Sequence, residues 1–218
     1  LPKWRPANYT KKFYGPSTMR LGLEKSKNLM TVRLAQAIGM DRIAETANVF
    51  GIAGNLPRTL AASLGATETT LMKITNAYAM LVNGGKKIKP TFIDRIQNRH
   101  GLTVFKHDQR PCDGCKVDSW RNNLVPHLPD VRQQITDAVS AYQVVSMLEG
   151  AVERGTGKKV KSVGKPLAGK TGTTNQERDT WFIGFSPDLA VGVYVGFDNP
   201  MPLGKRETGS SVAAPIFR

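Results

Sequence analysis

Residues 170–174 (KTGTT) and the segments after them constrain the fold more than any other part of the chain. Two strongly β-type segments follow, at 181–185 and 189–197, with a Ser-Pro-Asp turn at 186–188 between them. Apolar and β-branched runs around a short turn are typical of an antiparallel hairpin. We therefore predict three adjacent strands, with the KTG stretch on the first.

The side chains of this first strand are chemically unlike core residues. Strand side chains alternate between faces, so Lys170 and Gly172 should point one way and Thr171 and Thr173 the other. Gly172 has no side chain, which lets another backbone approach closely. The strand edge could bind an extended peptide, with an ammonium and hydroxyls beside it for a carboxylate. An ordinary hairpin strand is the alternative, which a KTG tripeptide alone does not exclude.

Length and composition suit one globular domain, since 40% of the 218 residues are hydrophobic. The net charge of +14 favours polyanionic partners, such as nucleic acid, anionic lipid or acidic cell-wall polymers. However, the charges are scattered and lack interleaved aromatic residues, so we do not expect nucleic-acid binding. No apolar run is long enough for a membrane span and no signal peptide opens the chain. Because Leu1 is not a start methionine and Arg218 directly follows an apolar segment, we interpret the chain as a piece of a longer protein.

The part of the chain before the KTG stretch predicts mainly helices. After an extended loop over residues 1–23, apolar spacing predicts one helix over 29–38, one from an Asp41 cap to Phe50, and one from a Thr67 cap to Leu81. A loop over 55–65 separates the last two of these helices.

The second half of the chain predicts a hairpin, a long helix, the three strands and a last helix. The hairpin (91–93 with 102–105) belongs to a surface excursion at about 86–134. The long helix begins at Thr136, and its apolar residues run almost all round it, which predicts burial on most sides. A C-terminal helix over 208–217 should pack on the sheet. We therefore predict an α/β fold of the α+β type, with an antiparallel sheet sandwiched by helices.

A second polar pair, Ser26 and Asn28, precedes the first predicted helix. Serine and asparagine are both common helix caps, so a capping role is the simpler interpretation. The functional alternative needs a hydroxyl that relays a proton and an amide that holds a substrate carbonyl. Both side chains would then face a cleft beside the KTG strand.

Six ordered motifs resemble the C-terminal part of the transpeptidase domain of class A penicillin-binding proteins, the bifunctional murein synthases of bacteria. Their consistent spacing over nearly the whole chain, excepting roughly 86–134, is far more specific than any one motif. The resemblance implies the penicillin-recognising serine-transferase fold, incomplete at its N-terminal side. The motifs are Trp4-Arg5-Pro6-x-Asn8-Tyr9, Phe13-Tyr14-Gly15-Pro16, Leu23-Glu24-x-Ser26-x-Asn28, Gly155-Thr156-Gly157, AGKTGTTN at 168–175, and Asp179-x-Trp181-Phe182-x-Gly184-Phe185.

The resemblance assigns roles to the matching residues. Ser26 would pass a proton towards the leaving amine, while Lys27 and Asn28 bracket the site and Asn28 holds the peptide. The KTG strand would bind the terminal carboxylate of a D-Ala-D-Ala stem peptide, and the backbone N–H of Thr173 would be an oxyanion-hole donor. Ser26, Asn28 and Lys170 are thus the expected catalytic residues, with substrate binding by Lys27, Thr171, Gly172, Thr173 and Thr174.

The family's nucleophile motif, S-x-x-K, has no match on a predicted helix. The one such string is Ser162-Val163-Gly164-Lys165, where Gly164 opposes a helix and the following proline pushes Lys165 out of the α region. We expect the nucleophile to lie on a segment upstream of this chain. The chain itself would then hold two thirds of an active site and would be inactive alone.

The whole protein, by the same resemblance, is a serine-type peptidoglycan DD-transpeptidase acylated by β-lactams. Its expected partners are stem peptides, β-lactams, the upstream segment and other cell-wall synthesis proteins, with no cofactor. It would act on the extracytoplasmic face of the inner membrane, anchored by an N-terminal segment. The alternative is a non-catalytic penicillin-sensing or scaffold domain of the same fold.

Cys112 and Cys115 form a second local feature, with His100 and His107 nearby in the sequence. Only the cysteine pair has spacing suitable for zinc. In an extracytoplasmic protein such a pair more often forms a disulfide, and free thiols are the third alternative. We interpret His127 as a surface loop residue.

Overall fold

A computed structural model describes residues 4–112, 114, 115, 117–119, 121, 122 and 124–218. It divides into two compact units: residues 87–133, and the remainder on either side of them. The larger unit contains the three-stranded sheet and the six helices described below. In the ranges described, no helix has the length and apolar character needed to cross a bilayer.

The sheet confirms the three predicted strands. It consists of β3 (Ala168–Thr173), β4 (Asp179–Phe185) and β5 (Ala190–Gly196), numbered after two short strands in the smaller unit. The strands are antiparallel in the order β3-β4-β5, with Gly172 opposite Trp181 and Ile183 opposite Gly192. The KTG residues therefore lie on a strand at the edge of the sheet.

Helices pack against this sheet, as the predicted fold class requires. Helix α4 (Leu71–Val82) contacts β5, and α5 (Ala138–Glu153) contacts β3. The C-terminal segment forms a π-helical turn, Gly209–Ala213, followed by α6 (Ala214–Phe217). Phe182 of β4 is fully buried and meets Phe217 edge-on at 4.8 Å, which fixes the last helix to the sheet.

The prediction that α5 is buried on most sides is only half right. Its C-terminal half is buried, including Leu148, Ala151 and Val152. Its first turns leave Val139 and Tyr142 largely exposed. Although α5 has apolar residues on all sides, only its C-terminal half is buried.

Three helices precede these elements, and the first was not predicted. Helix α1 (Met19–Glu24) lies within the segment interpreted as a loop over 1–23, of which residues 1–3 lie outside the described residues. Six residues are too few to give a periodic signal, and α1 is fixed from outside: Arg20 donates hydrogen bonds to Ser146 of α5. Helices α2 (Asn28–Ile38) and α3 (Met40–Val49) confirm the predicted pair.

Several predicted helix caps are wrong. Asp41 lies inside the first turn of α3, whose cap is Gly39. Helix α4 is capped by Thr70, which accepts from Lys73 N–H, rather than by Thr67. Helix α5 begins after Asp137 rather than at Thr136. The loop over 55–65 contains a 3₁₀ turn, Leu60–Leu64.

The smaller unit, residues 87–133, contains the predicted hairpin. Its strands are β1 (Arg95–Gln97) and β2 (Thr103–Lys106), so the first begins four residues later than residue 91. Cys112 and Cys115 are joined as a disulfide, with their Cα atoms 5.5 Å apart. Among the residues described, no cluster of three His, Cys, Asp or Glu side chains could hold a metal ion.

Candidate active site

Ser26 and Lys170 meet at the centre of the candidate site. Lys170 Nζ donates a hydrogen bond of 2.8 Å to Ser26 Oγ and one of 2.9 Å to the carbonyl oxygen of Thr171. Lys170 is partly buried, and desolvation lowers its pKa from 10.5 to about 8. The ammonium can therefore exchange a proton near neutral pH.

The backbone around Ser26 is a tight C-terminal helix cap. Lys27 N–H donates to the carbonyl of Gly22 at 2.8 Å, and Ser26 N–H donates to that of Leu23 at 3.1 Å. This hydrogen-bond pair is the Schellman motif, in which the residue at the position of Ser26 is left-handed and usually glycine. Ser26 adopts this conformation, with φ of +51°. Serine adopts this left-handed conformation less readily than glycine does, but it presents a hydroxyl to Lys170.

Neither Ser26 nor Asn28 caps α2, so the simpler interpretation of this pair is wrong. The cap position is Lys27, which makes no side-chain capping bond. Asn28 is the first helical residue, and its amide nitrogen donates to the carbonyl of Ala7 at 2.9 Å. The N-terminal segment thereby orients the Asn28 carboxamide.

Asn8, rather than Ser26 or Asn28, supplies a side-chain capping bond to α2. Its side-chain oxygen accepts from Leu29 N–H at 3.2 Å, and its amide donates to the carbonyl of Lys12 at 2.8 Å. Asn8 is buried. Sequence reasoning found Asn8 only as part of a motif, because its partner Leu29 lies 21 residues away.

Lys27 contacts an aromatic ring beside the site. Its Nζ lies 3.2 Å from the ring centroid of Tyr14, a cation–π contact. The Tyr14 hydroxyl is 2.7 Å from that of Thr10. The pKa of Tyr14 is lowered, first by the hydrogen bond with Thr10 and then by that with Lys27. These contacts hold the N-terminal segment next to the residues 26–28.

The backbone of β3 is open along one edge, within the described part of the chain. Residues of an antiparallel pair alternate between directing their N–H and C=O groups at the partner and away from it. Thr174 N–H donates to the carbonyl of Asp179 across the start of the β3–β4 pair. The alternation therefore directs the N–H and C=O groups of Thr171 and Thr173 away from β4, to the open edge.

The threonine side chains of β3 are each held by a distant segment. The Thr171 hydroxyl lies 2.7 Å from that of Thr156, in the turn after α5. Thr173 Oγ1 accepts from Gly209 N–H at 3.0 Å, which leaves its own O–H to donate. Thr174 instead accepts from Asp179 N–H at 2.9 Å within the β3–β4 turn.

The backbone does approach β3 closely at this point, but the missing side chain of Gly209, rather than that of Gly172, makes room for it. A Cβ on Gly209 would lie 2.5 Å from the carbonyl oxygens of both Gly172 and Trp181. A Cβ on Gly172 would lie 3.1 Å from Trp181 Cβ. Gly209 was not predictable from the sequence, because it lies in a segment of small residues without a motif.

A family model described as the penicillin-binding protein transpeptidase domain matches residues 2–218. The chain belongs to the penicillin-binding protein transpeptidase domain family. A Penicillin-binding protein 1A of Rickettsia bellii is 50% identical over the whole chain, which spans 28% of that relative's length. The crystal structure of Penicillin-Binding Protein 1A from Haemophilus influenzae has a TM-score of 0.80 at 28% identity, covering 98% of this chain and 35% of that one. PonA1 of Mycobacterium tuberculosis in complex with penicillin V has a TM-score of 0.76 at 21% identity, covering 97% and 57%.

The S-x-x-K string at 162–165 of this transpeptidase domain does not lie on one helix, which confirms the backbone conformation predicted for it. The 3₁₀ turn Lys158–Val163 ends between the two residues, and Gly164 is left-handed with φ of +76°. Ser162 Oγ donates to the carbonyl of Lys159. The serine and the lysine therefore do not share a helix face.

Proposed function

We propose that this domain belongs to a serine-type DD-transpeptidase that cross-links peptidoglycan through an acyl-serine intermediate. The observation that carries the proposal is the hydrogen bond between Lys170 and Ser26 beside the open edge of β3. It brings a proton relay next to a surface suited to an extended peptide. Membership of the transpeptidase family supports the same assignment.

Substrate binding follows from the groups on β3. A stem peptide ending in D-Ala-D-Ala adds along the open edge, where Thr171 and Thr173 direct their backbone groups. Its terminal carboxylate meets the Lys170 ammonium and the hydroxyls of Thr171 and Thr173. The N–H of Thr173 then donates to the oxyanion that forms during acyl transfer.

Ser26 and Lys170 handle the proton in the acylation step. The nucleophilic serine, which we place with its lysine base on a segment outside these 218 residues, gives its proton to that lysine and attacks the carbonyl of the penultimate D-Ala. The C–N bond to the last D-Ala breaks, and the leaving amine takes a proton from Ser26 Oγ. Lys170, whose pKa is about 8, returns a proton to Ser26. An acceptor amine of a second stem peptide then attacks the acyl carbonyl and returns a proton through Ser26 to Lys170. The bond to the nucleophilic serine breaks, and that serine regains its proton from its lysine base.

β-Lactams are proposed to acylate the same nucleophile, because their carboxylate and strained amide imitate the end of the stem peptide. The M. tuberculosis PonA1 structure in complex with penicillin V supports β-lactam binding by a protein of the same fold. We place the protein on the extracytoplasmic face of the inner membrane, where stem peptides and other cell-wall synthesis proteins are available to it.

The experiment uses the full-length protein that carries this domain. It is incubated with a labelled penicillin, the adduct is located by mass spectrometry, and cross-linking of pentapeptide-bearing glycan strands is measured in parallel. We expect one stoichiometric adduct and cross-linked product. An adduct without cross-linking would favour the penicillin-sensing alternative, and no adduct would contradict both.

A further inference from the structure

The segment carrying Ser26 is joined to the end of α5 by an ion pair between the buried carboxylate of Glu24 and the exposed side chain of Arg154. Arg154 donates to both carboxylate oxygens of Glu24, with its Nε 2.9 Å from Oε2. The Glu24 side chain is only 3% exposed. An arginine fork on a carboxylate fixes orientation as well as distance.

Two more hydrogen bonds join the same pair of segments. The backbone carbonyl of Glu24 accepts from Thr156 N–H at 3.2 Å. Lys25 Nζ donates to the carbonyl of Arg154. Side-chain and backbone hydrogen bonds therefore connect residues 24–25 with residues 154–156, and each segment both donates and accepts.

The end of α5 leaves room for Glu24 by having glycines. A Cβ at Gly150 would clash with the Glu24 carboxylate, and one at Gly155 would clash with the Glu24 carbonyl. Neither glycine has a positive φ, so a special backbone conformation does not explain them. The close approach of Glu24 explains why both positions are glycine.

Both ends of this connection lead to the candidate site. Glu24 is two residues before Ser26, and its carbonyl partner Thr156 contacts Thr171 of β3 through the 2.7 Å hydroxyl contact. Thr171 is next to Lys170, whose Nζ reaches Ser26. The contacts form a closed ring from Glu24 through α5 and β3 back to Ser26.

We propose that the Glu24–Arg154 pair is a positioning clamp that sets the separation of Ser26 and Lys170 for proton transfer. The inference rests on the proposed function. Burial of the Glu24 carboxylate costs desolvation free energy, and its partner Arg154 is exposed to water, so the pair adds little net stability. Its value lies in the geometry it imposes. Neither residue touches substrate; both act through the loop and the strand.

The test is a double-mutant cycle in the full-length protein with the variants Glu24→Gln, Arg154→Gln and both together. Labelling by a fluorescent penicillin is followed at increasing concentration, which separates the non-covalent Kd from the acylation rate constant. The final labelled fraction is recorded as well. Glu153→Gln is the matched control, because Glu153 precedes Arg154 but forms an exposed ion pair with Lys161.

We expect each single variant to lower the acylation rate constant about 10- to 100-fold, as a small misplacement of reacting groups does. The Kd and the final labelled fraction should be nearly unchanged, and the double variant should be no slower than the slower single variant. Arg154→Lys keeps the charge but loses the two-pronged guanidinium contact. Its acylation rate constant should lie between those of the wild type and Arg154→Gln.

Three results would overturn the clamp: wild-type rate constants in Glu24→Gln, an equal loss in Glu153→Gln, or a loss confined to the labelled fraction. The last result would indicate unfolding rather than misplacement. If Glu24→Gln does not fold, Arg154→Lys decides by the same criteria. Failure of the wild-type protein to label would instead contradict the proposed function itself.

Discussion

The Lys170 ammonium and the Ser26 hydroxyl form a hydrogen bond of 2.8 Å across 144 residues of sequence. The helix α1, the loop after it and the edge strand β3 each contribute to this contact. Its two side chains have different supports: Ser26 depends on a left-handed helix cap, and Lys170 on the register of β3. The contact therefore forms only when α1, the loop after it and β3 are packed together correctly.

Lys170→Ala in the full-length protein should slow acylation by β-lactams. The substitution removes both the charge that meets the carboxylate and the partner of Ser26. A charge-assisted contact of this kind is worth about 1.5–3 kcal/mol, or roughly a 10- to 150-fold loss in rate. Lys165→Ala, at an exposed position five residues earlier, is the control and should label at the wild-type rate. An unchanged rate in Lys170→Ala would refute the role of this strand.

Above about pH 8, the acylation rate should fall with increasing pH, while the contribution of Lys170 to stability should rise. Because the pKa of Lys170 is lowered from 10.5 to about 8, the folded protein loses this proton while the unfolded chain keeps it. The contribution of Lys170 to stability therefore rises as the pH increases from 8 to 10.5. Acylation needs the ammonium and should fall over the same range.

Acylation rates and thermal unfolding measured side by side test this difference. Lys170→Ala should lose both the alkaline fall in rate and the rise in stability. A parallel fall of rate and stability in the wild type would instead point to alkaline unfolding.

The sheet was the most predictable part of the fold, because its signals are local. Alternating residues, a Ser-Pro-Asp turn and the KTG stretch lie within 30 or so consecutive residues and specify neighbouring strands. Helices α2, α3 and α4 were predictable for the same reason, through their apolar periodicity. Helix α1 has no such period and depends on Arg20 reaching Ser146.

The site was predictable in its members but not in its contacts. Resemblance singled out Ser26 and Lys170, but nothing near either residue indicates that they are hydrogen-bonded to each other. The same is true of Asn8, Glu24 and Gly209, whose partners lie in distant segments. Such pairs arise from tertiary packing, and one sequence contains no local pattern for them.

Gly209→Ala should destabilise the domain and disturb Thr173. The added Cβ would lie 2.5 Å from two backbone carbonyl oxygens, which cannot move without separating β3 from β4. Overpacking of this kind typically costs about 1–3 kcal/mol. Gly54→Ala is the matched control, since a Cβ there meets nothing within 4 Å. A Tm equal to that of the control would show that the Gly209 turn is not held against the strand.

Reduction of the Cys112–Cys115 disulfide should change global stability very little. The bond closes a loop with a sequence separation of only 3, and the entropic gain from a cross-link grows with loop length. Thiol titration under native and denaturing conditions detects the bond, and unfolding with and without reductant gives its effect. A loss of several kcal/mol, or zinc found by elemental analysis, would contradict this prediction.

Residues 1–218 expressed alone should be poorly soluble. Helices α2 and α5 leave apolar side chains exposed, including Leu34, Ile38, Val139 and Tyr142. Large apolar side chains left exposed on helices mark an interaction site or an aggregation hazard when they lie together. Co-expression with the upstream segment of the same protein should cover these faces and restore solubility.

The same fragment should form no covalent adduct with labelled penicillin. Ser26 has a lysine at hydrogen-bonding distance, but we assign this pair to proton relay, and Ser162 and Lys165 are separated by a left-handed glycine. Co-expression should restore labelling together with solubility, with the adduct on the upstream segment. Intact-mass spectrometry of the refolded fragment after incubation with a β-lactam measures this directly. A stoichiometric adduct on Ser26 would make the Ser26–Lys170 pair a nucleophile and its base, and would overturn the division of the active site proposed above.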